Sequence, residues 1–300
     1  MSTNISDKSL VKNSVAFTDS AIELVNWATD KTEPEPMSEK VFACQTTNAF
    51  ARSNQVTKSD KRLSTAYDNL LNKENKPFGY FNLGLHVGDN AQRVIANRSS
   101  LTQYIKQTVA KDNDASQLDI QWLEQVHGNE VVVVSTVNQQ AIIADASITR
   151  QKNIALAVMT ADCLPILLSA ADGKEVAAIH GGWRSLSANI IEKTLEKMQT
   201  EPQDIKAWLG PCIGPNSFEV GSEVKDCFIE QSHKFAQAFI DKANGKSLCN
   251  LHRIAKLKLT ALGIEAIASL PECTYENSTK YYSYRKSQTT GRMATIICRR

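Results

Sequence analysis

Between residues 120 and 180 the chain passes through short apolar runs at 120–126, 131–135, 155–160, 166–168 and 176–180. They are rich in β-branched residues and separated by Gly, Asp or Asn. Runs this short read as strands, since an amphipathic helix needs about ten residues or more at a 3.6-residue period. Further strands are expected at 41–47, 206–209, 264–269 and 293–298. Helical spacing appears elsewhere. Asp89 or Asn90 can cap a helix carrying Val94, Ile95, Leu101 and Ile105. Ser185 can cap another carrying Leu186, Ile190, Leu195 and Met198, and helical patterns recur at 223–230 and 251–262. No internal repeat and no Pro/Gly-rich linker interrupts residues 80–300, so the pattern predicts one α+β domain.

The N-terminal part reads differently. Residues 1–40 are polar, with a short helix expected around 21–28 before the breaker-rich TEPEPMSEK. They read as a mobile or loosely docked extension to a domain spanning 41–300. Residues 48–78 are polar and lysine-rich without a clear period, and read as a loop insertion.

Charge and composition narrow the function. Thirty-four basic and 32 acidic residues give a net charge of +2, so no global field attracts nucleic acid or an anionic membrane. No apolar run reaches the roughly 18 residues of a membrane span, and the start of the chain lacks the pattern of a signal peptide. A cytoplasmic protein is expected, as a monomer or small homo-oligomer. The seven cysteines are odd in number and form no CxxC, which favours reduced thiols over a disulfide framework.

Three motifs carry the chemistry. In WLEQVHGNE, His127 ends an apolar strand before Gly128; in AVMTADCLPILL, Cys163 follows Asp162 at a bend that Pro165 keeps extended; in AAIHGGWRSL, His180 precedes paired glycines, Trp183 and Arg184. Strands of one sheet that end at the same edge would bring His127, Cys163 and His180 together. Two imidazoles and a thiolate suit zinc at roughly 2.0–2.3 Å, with a fourth position left for water. Other polar segments are candidates for the pocket. GYFNLGLHVGDN offers Asn82 and His86, and YYSYRKSQTTGRM offers Arg285 and Arg292, which with Arg184 could hold phosphate in fork geometry.

FNLGLHVGDN, WLEQVHGNEVV, ADAS, AVMTADCLPILL, AAIHGGWRSL, AWLGPCIGP, CTYEN and YYSYRK…TTGRMA occur in this order. In this the chain resembles the bacterial YfiH-type family, historically labelled polyphenol oxidase or laccase-domain proteins and now described as purine nucleoside phosphorylases with adenosine deaminase activity. The resemblance covers roughly residues 40–300. It implies zinc on His127, Cys163 and His180. It implies a mixed β-sandwich core flanked by helices, and adenosine, inosine or methylthioadenosine as substrates with phosphate or water. Proton transfer by Asp162 or His86 would accompany it. One departure stands out: where the family has an arginine soon after the first strand, this chain has Asn48, and Arg52 or Arg62 are the nearest replacements.

Three other readings stay open. A multicopper polyphenol oxidase would need more histidines than the five present. A cysteine hydrolase or amidase acting on cell-wall precursors would use Cys163 as nucleophile and His127 or His180 as base. A zinc-stabilised scaffold would need a fourth protein ligand.

Overall fold

The computed structural model describes residues 21–27, 37–48, 76–109 and 117–300. Its strands are β1 Ile22–Leu24, β2 Val41–Thr46, β3 Asp119–Gln121, β4 Leu123–Glu124, β5 Val131–Val133, β6 Ile142–Ile143, β7 Ala146–Thr149 and β8 Ile154–Thr160. They continue as β9 Leu164–Ala170, β10 Val176–Gly181, β11 Ile205–Leu209, β12 Glu219–Val220, β13 Phe239–Asp241, β14 Ser247–Cys249, β15 Ala266–Ser269 and β16 Met293–Arg299. The helices are α1 Met37–Lys40, α2 Ala91–Val109, α3 Trp183–Ser187, α4 Ile190–Lys197, α5 Ser222–Ile229 and α6 Leu251–Ala261.

Two sheets dominate. The first has the order β1-β2-β16-β8-β3 and the second β15-β11-β9-β10-β7-β5. Pairing is mostly antiparallel, with β3 on β8, β5 on β7 and β11 on β15 running parallel. The period of two along each strand explains how they stack. In β8, Ile154, Leu156 and Val158 face Leu167 of β9, Val176 and Ala178 of β10, and Trp208 of β11. The alternate residues Ala155 and Ala157 face Leu101 and Ile105 of α2 on the other side. The second sheet repeats this, with Ile166, Leu168, Ala177 and Ile179 packed against Leu186, Ile190, Ile254 and Leu259 of the helices. The result is a helix–sheet–sheet–helix stack. Both faces of the central strands are covered, which is why they read as continuous apolar runs instead of alternating ones. Truncating a residue at the centre, such as fully buried Leu156, costs about 2–5 kcal/mol.

Several expectations are corrected. The expected helix around 21–28 is the strand β1 over its described residues. Ile22 pairs with Thr46 and Leu24 with Cys44, so this strand covers the edge of β2. Ala21, Ile22, Val25 and Trp27 are buried, and Met37 is buried at the start of α1, so these parts of residues 1–40 are docked on the core. Ser185 does not cap one long helix. It lies inside α3, which starts after Gly182, and Asn189 with φ 63° separates α3 from α4. Asparagine tolerates this left-handed conformation, and its Oδ1 accepts from Lys258 Nζ at 2.9 Å. The run at 120–126 is broken into β3 and β4 at Trp122. Of the insertion at 48–78, Asn48 and a 3-10 turn at Lys76–Phe78 are described; Arg52 and Arg62 lie outside the described residues. No described helix is long and apolar enough to cross a membrane.

Candidate metal centre and cleft

The chain leaves the first sheet at Thr160, passes through Ala161–Asp162–Cys163, and enters the second sheet at Leu164. Cys163 therefore sits at the crossing between the sheets. His180 is the penultimate residue of β10 and lies opposite Pro165 of β9. His127 lies in the loop between β4 and β5 with φ 59°. The three residues thus meet, but not as strand ends along one sheet edge. The sandwich brings them together from a loop, a crossing and a strand.

One carboxylate holds two of the three. Asp145, fully buried, accepts backbone N–H bonds from His127 at 3.0 Å and Gly128 at 2.7 Å, which fixes the left-handed turn. Its Oδ1 also lies 2.8 Å from His180 Nδ1, leaving Nε2 as the ring nitrogen free for a ligand. Burial alone would depress the His180 pKa, but the Cys163 sulfur and the Asp145 carboxylate outweigh it and hold the ring at about 9. Burial likewise pushes the Cys163 thiol up, and the two imidazoles overcome that push and bring it down to about 6.

The donor atoms of His127, Cys163 and His180 all lie within 4.8 Å of one another. Cys163 Sγ is 3.7 Å from His127 Nε2, and the two imidazoles meet edge to face with centroids 4.7 Å apart. Gly182 makes room for this. A Cβ there would lie 3.2 Å from His127 Cδ2 and 3.3 Å from Cys163 Sγ. Two imidazole nitrogens, one thiolate, a carboxylate orienting the buried histidine and an open side are what a metal site with a vacant position requires. The residues fit a metal, and the donor set is compatible with zinc or copper.

The open side faces a cleft of about 630 Å³. Three arginines line it, each beside an aromatic ring: Arg184 over Trp183 at 4.4 Å, Arg285 over Phe218 at 5.3 Å and Arg292 over Tyr284 at 5.8 Å. Such stacking holds a long side chain in place while leaving much of its donor fork available. His86 lines the same cleft, and its pKa is lowered by desolvation and then by the charges of Arg292 and Arg98.

The other expected site residues divide. Asn82 does not line the cleft. It is fully buried, its Oδ1 accepts from the N–H of Gly84 at 2.9 Å and of Arg292 at 2.8 Å, and its amide donates to Asp89. A loop rich in glycine needs such an internal acceptor, so Asn82 supports Arg292 from behind. Asp162 lines the cleft with φ 94°, but both carboxylate oxygens are engaged, Oδ1 by the Thr274 hydroxyl at 2.6 Å and Oδ2 by the Arg285 N–H at 2.6 Å. Asn48 lies in a separate cleft and donates to the carbonyls of Ser278 and Tyr281. Asp145 was not singled out from the sequence. Its only signal was a lone carboxylate among small residues in ADAS. Gln125 was also missed. Its side-chain amide bridges both backbone groups of Met159, at 2.7 and 2.8 Å, and so pins the end of β8.

Fold and site together define a β-sandwich protein with a His–Cys–His centre at the joint between its sheets. Residues 72–300 match the family described as multi-copper polyphenol oxidoreductase laccase, and the chain belongs to that family. A Shigella flexneri protein named purine nucleoside phosphorylase YfiH is 41% identical over 221 residues, which is 74% of this chain and 87% of that one. A Pseudomonas aeruginosa protein, purine nucleoside phosphorylase PA4543, is 38% identical over 222 residues, covering 74% and 86%. The crystal structure of Neisseria meningitidis protein NMB0706 superposes with a TM-score of 0.76 at 30% identity, covering 93% of this chain and 99% of that one.

Proposed function

We propose that the cleft is the active site of a zinc-dependent purine nucleoside phosphorylase acting on adenosine, inosine and methylthioadenosine, with adenosine deamination as a second activity. The observation that carries this reading is the convergence of the His127–Cys163–His180 centre and three aromatic-backed arginines on one cleft. The names of the relatives support the substrate class.

In phosphorolysis the bond from C1′ to the purine nitrogen breaks, the purine keeps the electron pair, and a phosphate oxygen bonds to C1′. Phosphate must therefore be held beside a carbon that gains positive charge. Arg184, Arg285 and Arg292 are assigned that task, since guanidinium forks match phosphate oxygens. Asp162 acts as a positioning residue through its bond to the Arg285 backbone. His86, favoured as the neutral imidazole, is the side chain assigned to move a proton to or from the purine. His127, Cys163 and His180 would hold zinc, which supplies Lewis acidity and lowers the pKa of bound water to about 7. We place the protein in the cytoplasm as a monomer or small homo-oligomer, with no membrane or nucleic-acid partner.

The test is incubation of protein of measured metal content with adenosine, with and without phosphate, resolving adenine, inosine and hypoxanthine beside a Cys163→Ala control. Adenine that requires both phosphate and Cys163 is the expected result. Inosine formed without phosphate measures the deaminase activity. Absence of all three products from zinc-loaded protein would sink the reading, and oxidation of a phenol by copper-loaded protein in its place would move it to the oxidase.

A second reading draws on the 3.7 Å approach of Cys163 Sγ to His127 Nε2 and on the lowered thiol pKa. That pair is also the arrangement of a cysteine hydrolase or amidase, with cell-wall precursors as the substrate class. A nucleophilic Cys163 would be alkylated with loss of activity in protein as purified, whereas a metal-held sulfur resists.

A further inference from the structure

Behind the metal centre lie two thiols for which the chemistry above has no use. The segments that follow β11 and β15 stay side by side, and Cys212 and Cys273 face one another across an isolated parallel bridge. The N–H of Cys212 donates to the Glu272 carbonyl at 3.3 Å, and the N–H of Thr274 to the Cys212 carbonyl at 3.0 Å. Residues paired in this way sit on strands about 4.8 Å apart with side chains on the same face. That separation falls within the Cα span a disulfide allows, toward its short and strained end.

The two sulfurs have complementary surroundings. Cys273 is partly exposed, and its Sγ accepts N–H bonds from Gly214 at 3.1 Å and Glu276 at 3.4 Å. Gly214 is needed for the contact, since a Cβ there would lie 3.1 Å from that sulfur. Cys212 is buried, with Sγ 3.4 Å from Nδ1 of His252; burial raises that thiol well above its ordinary range and lowers the pKa of the ring, so the pair rests as neutral thiol and neutral imidazole in direct contact.

We infer that Cys212 and Cys273 are a modification site at which a peroxide forms a reversible disulfide that slackens the metal centre. The Cys273 thiol loses its proton to solvent as its sulfur attacks one peroxide oxygen, the O–O bond breaks, and the other oxygen takes a proton from solvent and leaves as water or an alcohol. The Cys212 thiol gives its proton to His252 Nδ1, and its sulfur attacks the Cys273 sulfenic acid. The S–O bond breaks, the hydroxide takes the proton from His252, and water departs. Two thiols are oxidised by two electrons and the peroxide is reduced by two. A strained cross-strand bond is also one that dithiols reduce readily.

The bridge is wired to the centre on both sides. Ile213, next to Cys212, donates its N–H to the Asp162 carbonyl at 2.9 Å; Thr274, next to Cys273, donates its hydroxyl to the Asp162 carboxylate at 2.6 Å. Asp162 directly precedes Cys163 and sits at φ 94°, where a non-glycine residue holds its place only while its surroundings enforce it. Closing the bond shifts the two strands against one another and moves both supports at once. This coupling rests on the assignment of Cys163 as a metal ligand; the disulfide itself does not.

The test treats full-length, zinc-loaded protein briefly with hydrogen peroxide and blocks remaining thiols with N-ethylmaleimide. Non-reducing peptide mapping is then paired with zinc release to a chromophoric chelator. A peptide joining Cys212 to Cys273 is expected, with zinc release about tenfold faster and both changes reversed by dithiothreitol. Cys212→Ser and Cys273→Ser remove both effects, and if a variant folds poorly the dithiothreitol reversal tests the same link on the unmodified chain. Sulfinic or sulfonic acid at Cys273 without the linked peptide would overturn the proposal, as would a link from Cys212 to Cys163. A linked peptide with unchanged zinc release would overturn the coupling. Protein that binds no zinc would fail the metal assignment while the peptide map still reports on the disulfide.

Discussion

Nδ1 of His180 lies 2.8 Å from Oδ1 of Asp145, and the same carboxylate accepts the backbone N–H groups of His127 and Gly128. One buried acid therefore orients a candidate metal ligand of β10 and shapes the loop that delivers a second. Asp145→Asn keeps the shape but loses the charge, and metal affinity falls about 10–100-fold in a chelator competition. Asp145→Ala also strips the acceptor from the turn, so chemical denaturation shows a further loss of about 2–4 kcal/mol.

Gly182→Ala separates site from fold. Gly182 has φ −65° and ψ 156°, which alanine adopts freely, so thermal unfolding of the metal-free protein stays within a few degrees of the parent. Metal affinity falls at least about tenfold, because the added Cβ meets His127 and Cys163. A large loss of stability without loss of metal affinity would contradict this account of the centre.

The rim arginines carry a kinetic signature. Arg184→Gln removes a fork that is stacked on Trp183 and exposed to the cleft. The KM for phosphate rises about tenfold or more, while the KM for the nucleoside changes less. Equal changes in both would place Arg184 outside the phosphate subsite.

Acid titration has a marked point away from the site. Glu272 accepts from Lys280 at 2.8 Å and from the Tyr281 hydroxyl at 2.9 Å; burial works against its charge, but these bonds and the Lys280 charge win and lower its pKa from 4.5. Its contribution is present above pH 4.5 and is lost as pH falls through the lowered value. Much of the group is solvent-facing, so the effect is under about 1 kcal/mol. Glu272→Gln lowers the Tm at pH 7, and the gap to the parent narrows as pH falls below 4.5 and the carboxylate is protonated; a gap that does not narrow would deny the charge its role.

The central strands β8, β9 and β10 were legible because both faces are buried and the sequence writes that as unbroken apolar runs. How they divide between two sheets was not, since β16 joins β2 to β8 across most of the chain. β1 escaped because three residues carry no period of their own and only the edge of β2 makes them a strand. The candidate ligands His127, Cys163 and His180 stood out by residue type beside glycine and proline. Asp145 gave almost no signal, since a buried carboxylate owes its place to donors far along the chain. Asn82 misled for the opposite reason. Its polarity in a glycine-rich loop suggested a substrate contact, whereas it satisfies the backbone of its own loop and of Arg292.

The crossing at Ala161–Cys163 also bears on how the molecule is made. Its sulfur leaves one sheet as the chain enters the other, and the imidazoles come from 36 residues upstream and from β10. No short stretch of the nascent chain holds the three donors near one another, so the ion has nothing to nucleate on until the sheets have stacked. Added zinc should then leave the refolding rate almost unchanged and act mainly by slowing unfolding, as expected for contacts made after the transition state. The ion would act as the last fastener of the assembly, and the finished protein would owe it persistence rather than speed of formation.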